Sequence, residues 1–257
     1  MNAASLQSVS NSFRVSYLKM VRGSREALIP SCFSIIDFVT CLYQRKSAFA
    51  SELDLLISKG HAASVIYPFL AQIYNIELNY GADGSPYGIY ANPDVPTICM
   101  PSGSLGHGLG VAAGYHMVKD PSYMSYVILG DGECFEGSIW EALMFISSSR
   151  LNHVIPVVDS NNRTILGDID KNYQHFDISK KLTGFGFDVY DLNGHDFSSI
   201  QATLDIIESG RGVRPSAIVL KTIKGKGVPL LESSHLWHNR MPEDSVIADA
   251  ISTLSGK

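Results

Sequence analysis

Cysteine is scarce: Cys32, Cys41, Cys99 and Cys134 are the only four in the chain, and none form a CxxC pair. Neither a disulfide framework nor a thiolate zinc site has a basis in that spacing, and reduced thiols fit a cytoplasmic setting. Basic charge is also in short supply, with 20 Lys and Arg against 25 Asp and Glu and a net charge of -5. No stripe attracts a phosphate backbone, so a nucleic-acid partner is not expected. Long apolar runs are missing too; a membrane span needs roughly 20 such residues, and residues 1–15 are too polar for a secretory leader. Neither membrane nor export is therefore expected. There is no internal repeat, low-complexity tract or linker, so residues 1–257 read as a single domain.

What the chain does have is apolar content, 45% of its residues against 18% charged, enough for a globular core. Short β-rich runs at Leu53 to Ile57, Tyr126 to Leu129, Val154 to Val158, Asp188 to Asp191 and Ala217 to Lys221 read as buried strands. Residues 34–45, 61–75, 104–118, 138–149 and 196–208 carry apolar positions at helical spacing. Alternation of the two predicts an α/β fold, a mostly parallel central sheet with helices on both faces and sites at the strand carboxyl ends. The Gly-, Pro- and Asn-rich stretch Asn79 to Ser104 is expected to be a long functional loop. The tail from Pro242 to Leu254 is expected to form an exposed helix.

Candidate chemistry begins at Gly130-Asp131-Gly132, directly after the run YVIL. Alone, such a sequence is often only a tight turn. A second polar cluster, Asp159-Ser160-Asn161-Asn162, follows the next strand, and Asn161 lies 30 positions beyond Asp131. One helix fits in that interval, so two parallel strand ends can bring a carboxylate and an amide oxygen onto one hard cation. Magnesium suits such oxygens and completes its shell with phosphate and water, which implies a phosphorylated cofactor.

In family order, the chain carries Ser58-Lys59-Gly60-His61-Ala62, Ser102-Gly103-Ser104-Leu105-Gly106-His107-Gly108, Gly130-Asp131-Gly132-Glu133, Thr222-Ile223-Lys224-Gly225-Lys226-Gly227-Val228 and Trp237-His238. With these motifs the sequence resembles the transketolase family, and specifically the thiamine-diphosphate-binding, N-terminal part of a split transketolase. The resemblance implies thiamine diphosphate and Mg2+ as cofactors. It places Asp131, the Asn161 side chain and the backbone carbonyl of Arg163 on the metal, with Gly132 offering its N–H to the diphosphate and Gly130 and Glu133 beside them. His61 and His238 would contact the cofactor or stabilise charge at the reacting carbons, with His235 competing for the second role. Gly103, Ser104 and Leu105 would supply backbone contacts to the aminopyrimidine, and Ile165 would pack on the thiazolium. Glu136, and less so Glu141, correspond to carboxylates near a subunit interface. Asn162 stands where the family often has Gly, and Asn tolerates a left-handed backbone.

The family's activating glutamate lies in a pyrimidine-binding domain that these residues do not match. A second polypeptide, the C-terminal transketolase subunit, is therefore expected to supply it in an α2β2 heterotetramer. The implied reaction moves a two-carbon ketol unit from a ketose or 2-oxo donor to an aldehyde or ketone acceptor. Two departures concern that substrate. Ala27-Leu28-Ile29-Pro30 replaces the family's Gly-His pair, and residues 79–102 contain no histidine, which predicts donors or acceptors other than the common sugar phosphates. Two alternatives stay open: the α-subunit of a 2-oxo-acid decarboxylating dehydrogenase, and a non-catalytic scaffold that retains the cofactor fold.

Overall fold

A computed structural model describes residues 2–24, 27–45, 51, 54–118, 123–164, 167–173, 176–210, 212–233, 237 and 240–256. Five strands form one sheet, every neighbouring pair parallel. They are β1 (Leu55–Ile57), β2 (Ser125–Gly130), β3 (Val154–Ser160), β6 (Asp188–Asn193) and β7 (Ser216–Lys221), in the spatial order β1-β2-β3-β7-β6. Each predicted strand is present, displaced by a residue or two at its ends; Leu53 lies outside the described residues. A two-stranded antiparallel pair, β4 (Arg163–Thr164) with β5 (Gly167–Asp168), adds a feature that the apolar pattern does not announce.

The central strands bury both faces, and alternate residues feed two separate cores. Ile128, Ile155, Val157, Ile218 and Leu220 point to one. Val127, Leu129, Val158, Ala217 and Val219 point to the other. The first core is covered by helices α1 (Ala3–Val21), α2 (Ile29–Phe33), α3 (Ile36–Gln44), α4 (Tyr67–Tyr74), α9 (Phe197–Glu208) and α11 (Asp244–Leu254). The second lies under α5 (Gly108–Val118), α6 (Gly137–Ser148) and α8 (Ile178–Gly184). Two short helices, α7 (Ile169–Asn172) and α10 (Pro229–Glu232), complete the set. Burial of both sheet faces explains why the strands read as continuous apolar runs.

Differences from the expected helices have local causes. The predicted helix 61–75 opens with a 3-10 segment, Gly60–Ile66, before α4, and the predicted helix 104–118 begins only at Gly108. α1 is additional to the expected set, although Leu6, Phe13, Tyr17 and Val21 recur at helical spacing and are buried. Asn2 caps it, its Oδ1 accepting from Ser5 N at 2.9 Å. α8 is likewise additional, capped by Asp177, whose Oδ1 accepts from Lys180 N at 3.0 Å. The C-terminal helix forms as predicted, yet it is not simply exposed: Ile247 and Ala250 are buried in the core that α1 also covers. Residues 79–104 carry no helix or strand, as expected of the long loop.

Candidate functional site

The carboxyl ends of β1, β2, β3 and β7 open into a cleft of about 540 Å3. Its floor is made by Gly130, Gly132 and Glu133 at and beyond the end of β2 and by Asp159, Asn161, Arg163 and Thr164 at and beyond the end of β3. Lys59 and His61 enter from β1, Lys224 from the segment after β7, and Gly103 and Leu105 from the long loop. Ala27, Leu28, Ile89, Tyr90 and Met241 form the remaining, mostly apolar wall.

The ends of β2 and β3 lie side by side and bring the segments that carry Asp131 and Asn161 next to each other. Gly130 is in register with Asp159, and Asp131 N donates to Asp159 O at 3.2 Å. The Asp131 carboxylate, 4% exposed, accepts from Gly132 N at 2.8 Å through Oδ1 and from Asn162 N at 2.6 Å through Oδ2. Asn162 has φ 62, so the left-handed turn survives with Asn in place of Gly. Asn161 is held at both ends of its amide, Nδ2 donating to Asp159 at 2.9 Å and Oδ1 accepting from Arg163 N at 3.1 Å. Burial, and then the charge of Asp159, push the Asp131 carboxyl up to about 7. A divalent cation beside it would remove that penalty.

Asp159 organises this floor. Its carboxylate is fully buried and accepts from Lys59 Nζ at 2.5 Å, Ser34 Oγ at 2.6 Å, Asn161 Nδ2 at 2.9 Å and Thr222 Oγ1. Burial works against its charge, but the neighbouring Lys59 ammonium overrides this and holds the carboxyl below its usual value. Three segments distant in sequence, at Ser34, Lys59 and Thr222, are thereby tied to one carboxylate, and the orientation of Asn161 is one product of that arrangement.

Glu133 has a comparable task on the other side. Its Oε1 accepts from Ser58 Oγ at 2.5 Å and Gly106 N at 2.8 Å, and its Oε2 from Gly130 N at 3.1 Å. Burial raises its carboxyl above the ordinary range. Ser58 Oγ in turn accepts from Gly108 N at 3.1 Å. Glu133 therefore clamps the SKGH and GSLGHG motifs together at the cleft wall. The two motifs cross so closely that a Cβ on Gly60 would stand 1.3 Å from the Ser102 carbonyl oxygen, which only glycine permits.

Of the predicted site residues, His61, Gly103, Leu105, Gly130, Gly132, Glu133, Asn161 and Arg163 line the cleft, with Asp131 beneath its floor. Ser104 and Glu136 do not: both are exposed, and Ser104 Oγ lies 3.3 Å from His107 Nε2. Glu136 instead stands at the N-cap of α6, where its side chain makes no capping bond, and Glu141 is exposed on the same helix. Ile165, His235 and His238 fall outside the described residues. Lys224 joins the site as an addition to the predicted set. It is 6% exposed and lines the cleft, and burial, with the charge of Lys59 second, brings its ammonium down to about 8. The lysine-rich TIKGKGV segment directly after a strand is the signal that points to it.

Glycine turns, oxygen donors and buried ammonium groups at the carboxyl ends of parallel strands define an open-sheet α/β protein of the kind that takes phosphorylated ligands at that edge. The chain belongs to the transketolase family: the family described as "Transketolase, thiamine diphosphate binding domain" matches residues 94–253. Transketolase-like protein 2 of Bos taurus is 29% identical over 250 residues, covering 91% of this chain but only 40% of the relative. A protein of Actinobacillus succinogenes, named as one of the subunits of apulose-4-phosphate transketolase, is 30% identical over 236 residues, covering 86% of this chain and 85% of that protein. The crystal structure of transketolase from Campylobacter jejuni superposes with a TM-score of 0.87 at 25% identity, covering all of this chain and 43% of that one. The chain thus spans about two fifths of the length of the first curated relatives it matches. Among the described residues, no helix is long and apolar enough to cross a membrane, and all four cysteines are free.

Proposed function

We propose that this chain is the diphosphate-binding subunit of a two-chain transketolase, transferring a two-carbon ketol unit from a ketose or 2-oxo donor to an aldehyde or ketone acceptor. The observation that supports the reading is the placement of Asp131 and Asn161 just past the adjacent ends of β2 and β3, beside a cleft that Asn161 and Lys224 line. The donor set suits magnesium: one carboxylate and one amide oxygen, with the Arg163 carbonyl available as a third ligand. No group of three or more His, Cys, Asp or Glu that could hold a metal occurs among the described residues. A cation with so few protein ligands is completed by phosphate oxygens and water, as a diphosphate would provide. Lys224 supplies positive charge to the same anion, whereas the Gly132 N–H, expected on the diphosphate, donates instead to Asp131 Oδ1 at 2.8 Å.

When bound, thiamine diphosphate supplies a nucleophilic carbon that cleaves and forms the carbon–carbon bond. This chain's residues anchor and orient. Asp131 and Asn161 would hold the metal, Gly103 and Leu105 bound the cleft where the ring system would lie, and His61 at its wall would stabilise charge developing on the substrate oxygen. His238 and Ile165 keep their proposed roles at the reacting end and on the thiazolium. The activating glutamate is assigned to a partner carrying the pyrimidine-binding domain, since this chain covers only 40% of the first curated relative; the assembly expected of such a pair is α2β2. The relative of matching length, whose name makes it one part of a multi-subunit enzyme, supports a divided transketolase.

The apolar wall of Ala27, Leu28, Ile89 and Met241 supports a substrate other than the common sugar phosphates. Apulose 4-phosphate, from that relative's name, is the first to assay. The decisive experiment co-expresses this chain with the neighbouring reading frame and screens donors and acceptors for product. Activity requiring both chains, thiamine diphosphate and magnesium is expected. Cofactor binding by the complex with no turnover across the panel would instead favour a scaffold.

A further inference from the structure

Behind the cleft, Asp37 on α3 forms the centre of a buried cluster whose members line no part of the cleft. Its Oδ1 accepts from Ser10 Oγ at 2.5 Å and Arg14 Nη1 at 2.7 Å, and its Oδ2 from Arg14 Nη2 at 2.9 Å. His195 Nδ1 lies 2.8 Å from the same Oδ2. Burial alone would raise this carboxyl, but Arg14, His195 and Ser10 hold it well below the usual carboxylate range. An ionised carboxylate only accepts hydrogen bonds, so His195 carries its proton on Nδ1. Nε2 is then the acceptor, and it takes the N–H of Ile223 at 2.8 Å.

Arg14 extends the same grip. Its Nε donates to the Lys226 carbonyl at 3.0 Å. The turn from Ile223 to Lys226 is therefore held by its first amide through an imidazole and by its last carbonyl through a guanidinium, both anchored on Asp37. Inside it, Gly225 has φ 85 and donates to Pro30 O at 3.0 Å, while a Cβ there would approach the Leu231 backbone to 2.7 Å. Between these fixed points stands Lys224, whose side chain reaches the cleft.

We propose that Asp37, Arg14 and His195 are positioning residues for Lys224: Asp37 selects the Nδ1–H tautomer of His195, which fixes the 223–226 backbone and so aims the Lys224 ammonium into the diphosphate cleft. The proposal rests on the reading of that cleft as a diphosphate site. It assigns a job to three side chains that touch neither ligand nor metal, and it predicts coupling between His195 and Lys224 across the backbone.

His195→Asn is the informative variant, because its amide can still donate to Asp37 but cannot reach Ile223 as an acceptor. His195→Gln can present both a donor and an acceptor. The full chain is used, with two readouts: calorimetric affinity for inorganic pyrophosphate with magnesium, and the rate of reductive methylation of Lys224 measured by peptide mass spectrometry against exposed Lys180. His195→Asn should weaken pyrophosphate about tenfold, the scale of one buried hydrogen bond, and speed Lys224 methylation several-fold. His195→Gln should stay within about twofold of wild type in both. In a Lys224→Met background His195→Asn should cost no further affinity, because the two act through one contact. An unchanged methylation rate in His195→Asn, or an affinity loss that persists undiminished in the Lys224→Met background, overturns the proposal. A wild-type chain that fails to bind pyrophosphate would sink the cleft reading instead, while the methylation rates still decide the positioning.

Discussion

Replacing Asp159 by Asn tests how the floor of the cleft is held. The side chain is fully buried, and Lys59, 1% exposed, has its ammonium 2.5 Å from Oδ2. The substitution keeps the shape and removes the charge, leaving a lysine in the interior without its counter-ion. Removing one partner of such a pair costs about 3–5 kcal/mol, since the stranded charge can neither hydrate nor neutralise cheaply. For a domain of this size that is a fall in Tm of about 6–20 °C. Neither group is solvent-screened, so no discount for exposure applies. Chemical denaturation of wild type, Asp159→Asn and the double variant Lys59→Met with Asp159→Leu would measure it. The double variant should regain part of the lost stability, because it strands no ammonium, although Ser34, Asn161 and Thr222 lose an acceptor. It should still bind thiamine diphosphate poorly, because Asn161 loses the acceptor that orients its amide. A loss below about 1 kcal/mol in the single variant, or a double variant less stable than the single, would refute this account of Asp159.

Asp131→Ala should abolish magnesium-dependent binding of thiamine diphosphate, measured by calorimetry, because it removes the carboxylate proposed to anchor the metal. Affinity for pyrophosphate should fall as pH rises through about 8, where Lys224 loses its proton, and Lys224→Met should flatten that dependence. Asp37 has a depressed carboxyl in the fold, so below about pH 4 the unfolded chain binds protons that the folded chain refuses. The stabilisation is complete above that pH and is lost as pH falls through the folded value; a Tm series should show an acid slope that Asp37→Asn reduces. Gly60→Ala should cost about 3 kcal/mol or displace the Ser102 loop, read by denaturation and by loss of pyrophosphate binding, given a Cβ 1.3 Å from the Ser102 oxygen.

The parts of this fold that repeat locally are legible in advance. The strands at Val154–Ser160 and Ser216–Lys221 are continuous apolar runs because both sheet faces are covered. α1 has an equally regular stripe in Leu6, Phe13, Tyr17 and Val21, but the serines and asparagine set among those positions favour turns and caps and dilute the helical signal. The 3-10 opening before α4 is not legible in the same way. The apolar period runs on through Gly60–Ile66, while the backbone there follows the demands of the Ser102 crossing.

By itself, the sequence determined the five sheet strands and most of the helices, though not α1, α8 or the β4–β5 pair, together with the strand-end motifs Gly130-Asp131-Gly132 and Asp159-Ser160-Asn161 and the family those motifs define. Each of these is a short-range pattern, since periodicity and turn chemistry act over a few residues. Only the tertiary structure decided that Glu133 clamps two loops, that Asp159 joins Lys59 across 100 positions, and that Lys224 reaches the cleft while Ser104 and Glu136 face solvent. Those outcomes depend on which polar groups remain unpaired once the sheet has closed. A buried charge takes whatever partner the packing brings to it, however distant in sequence.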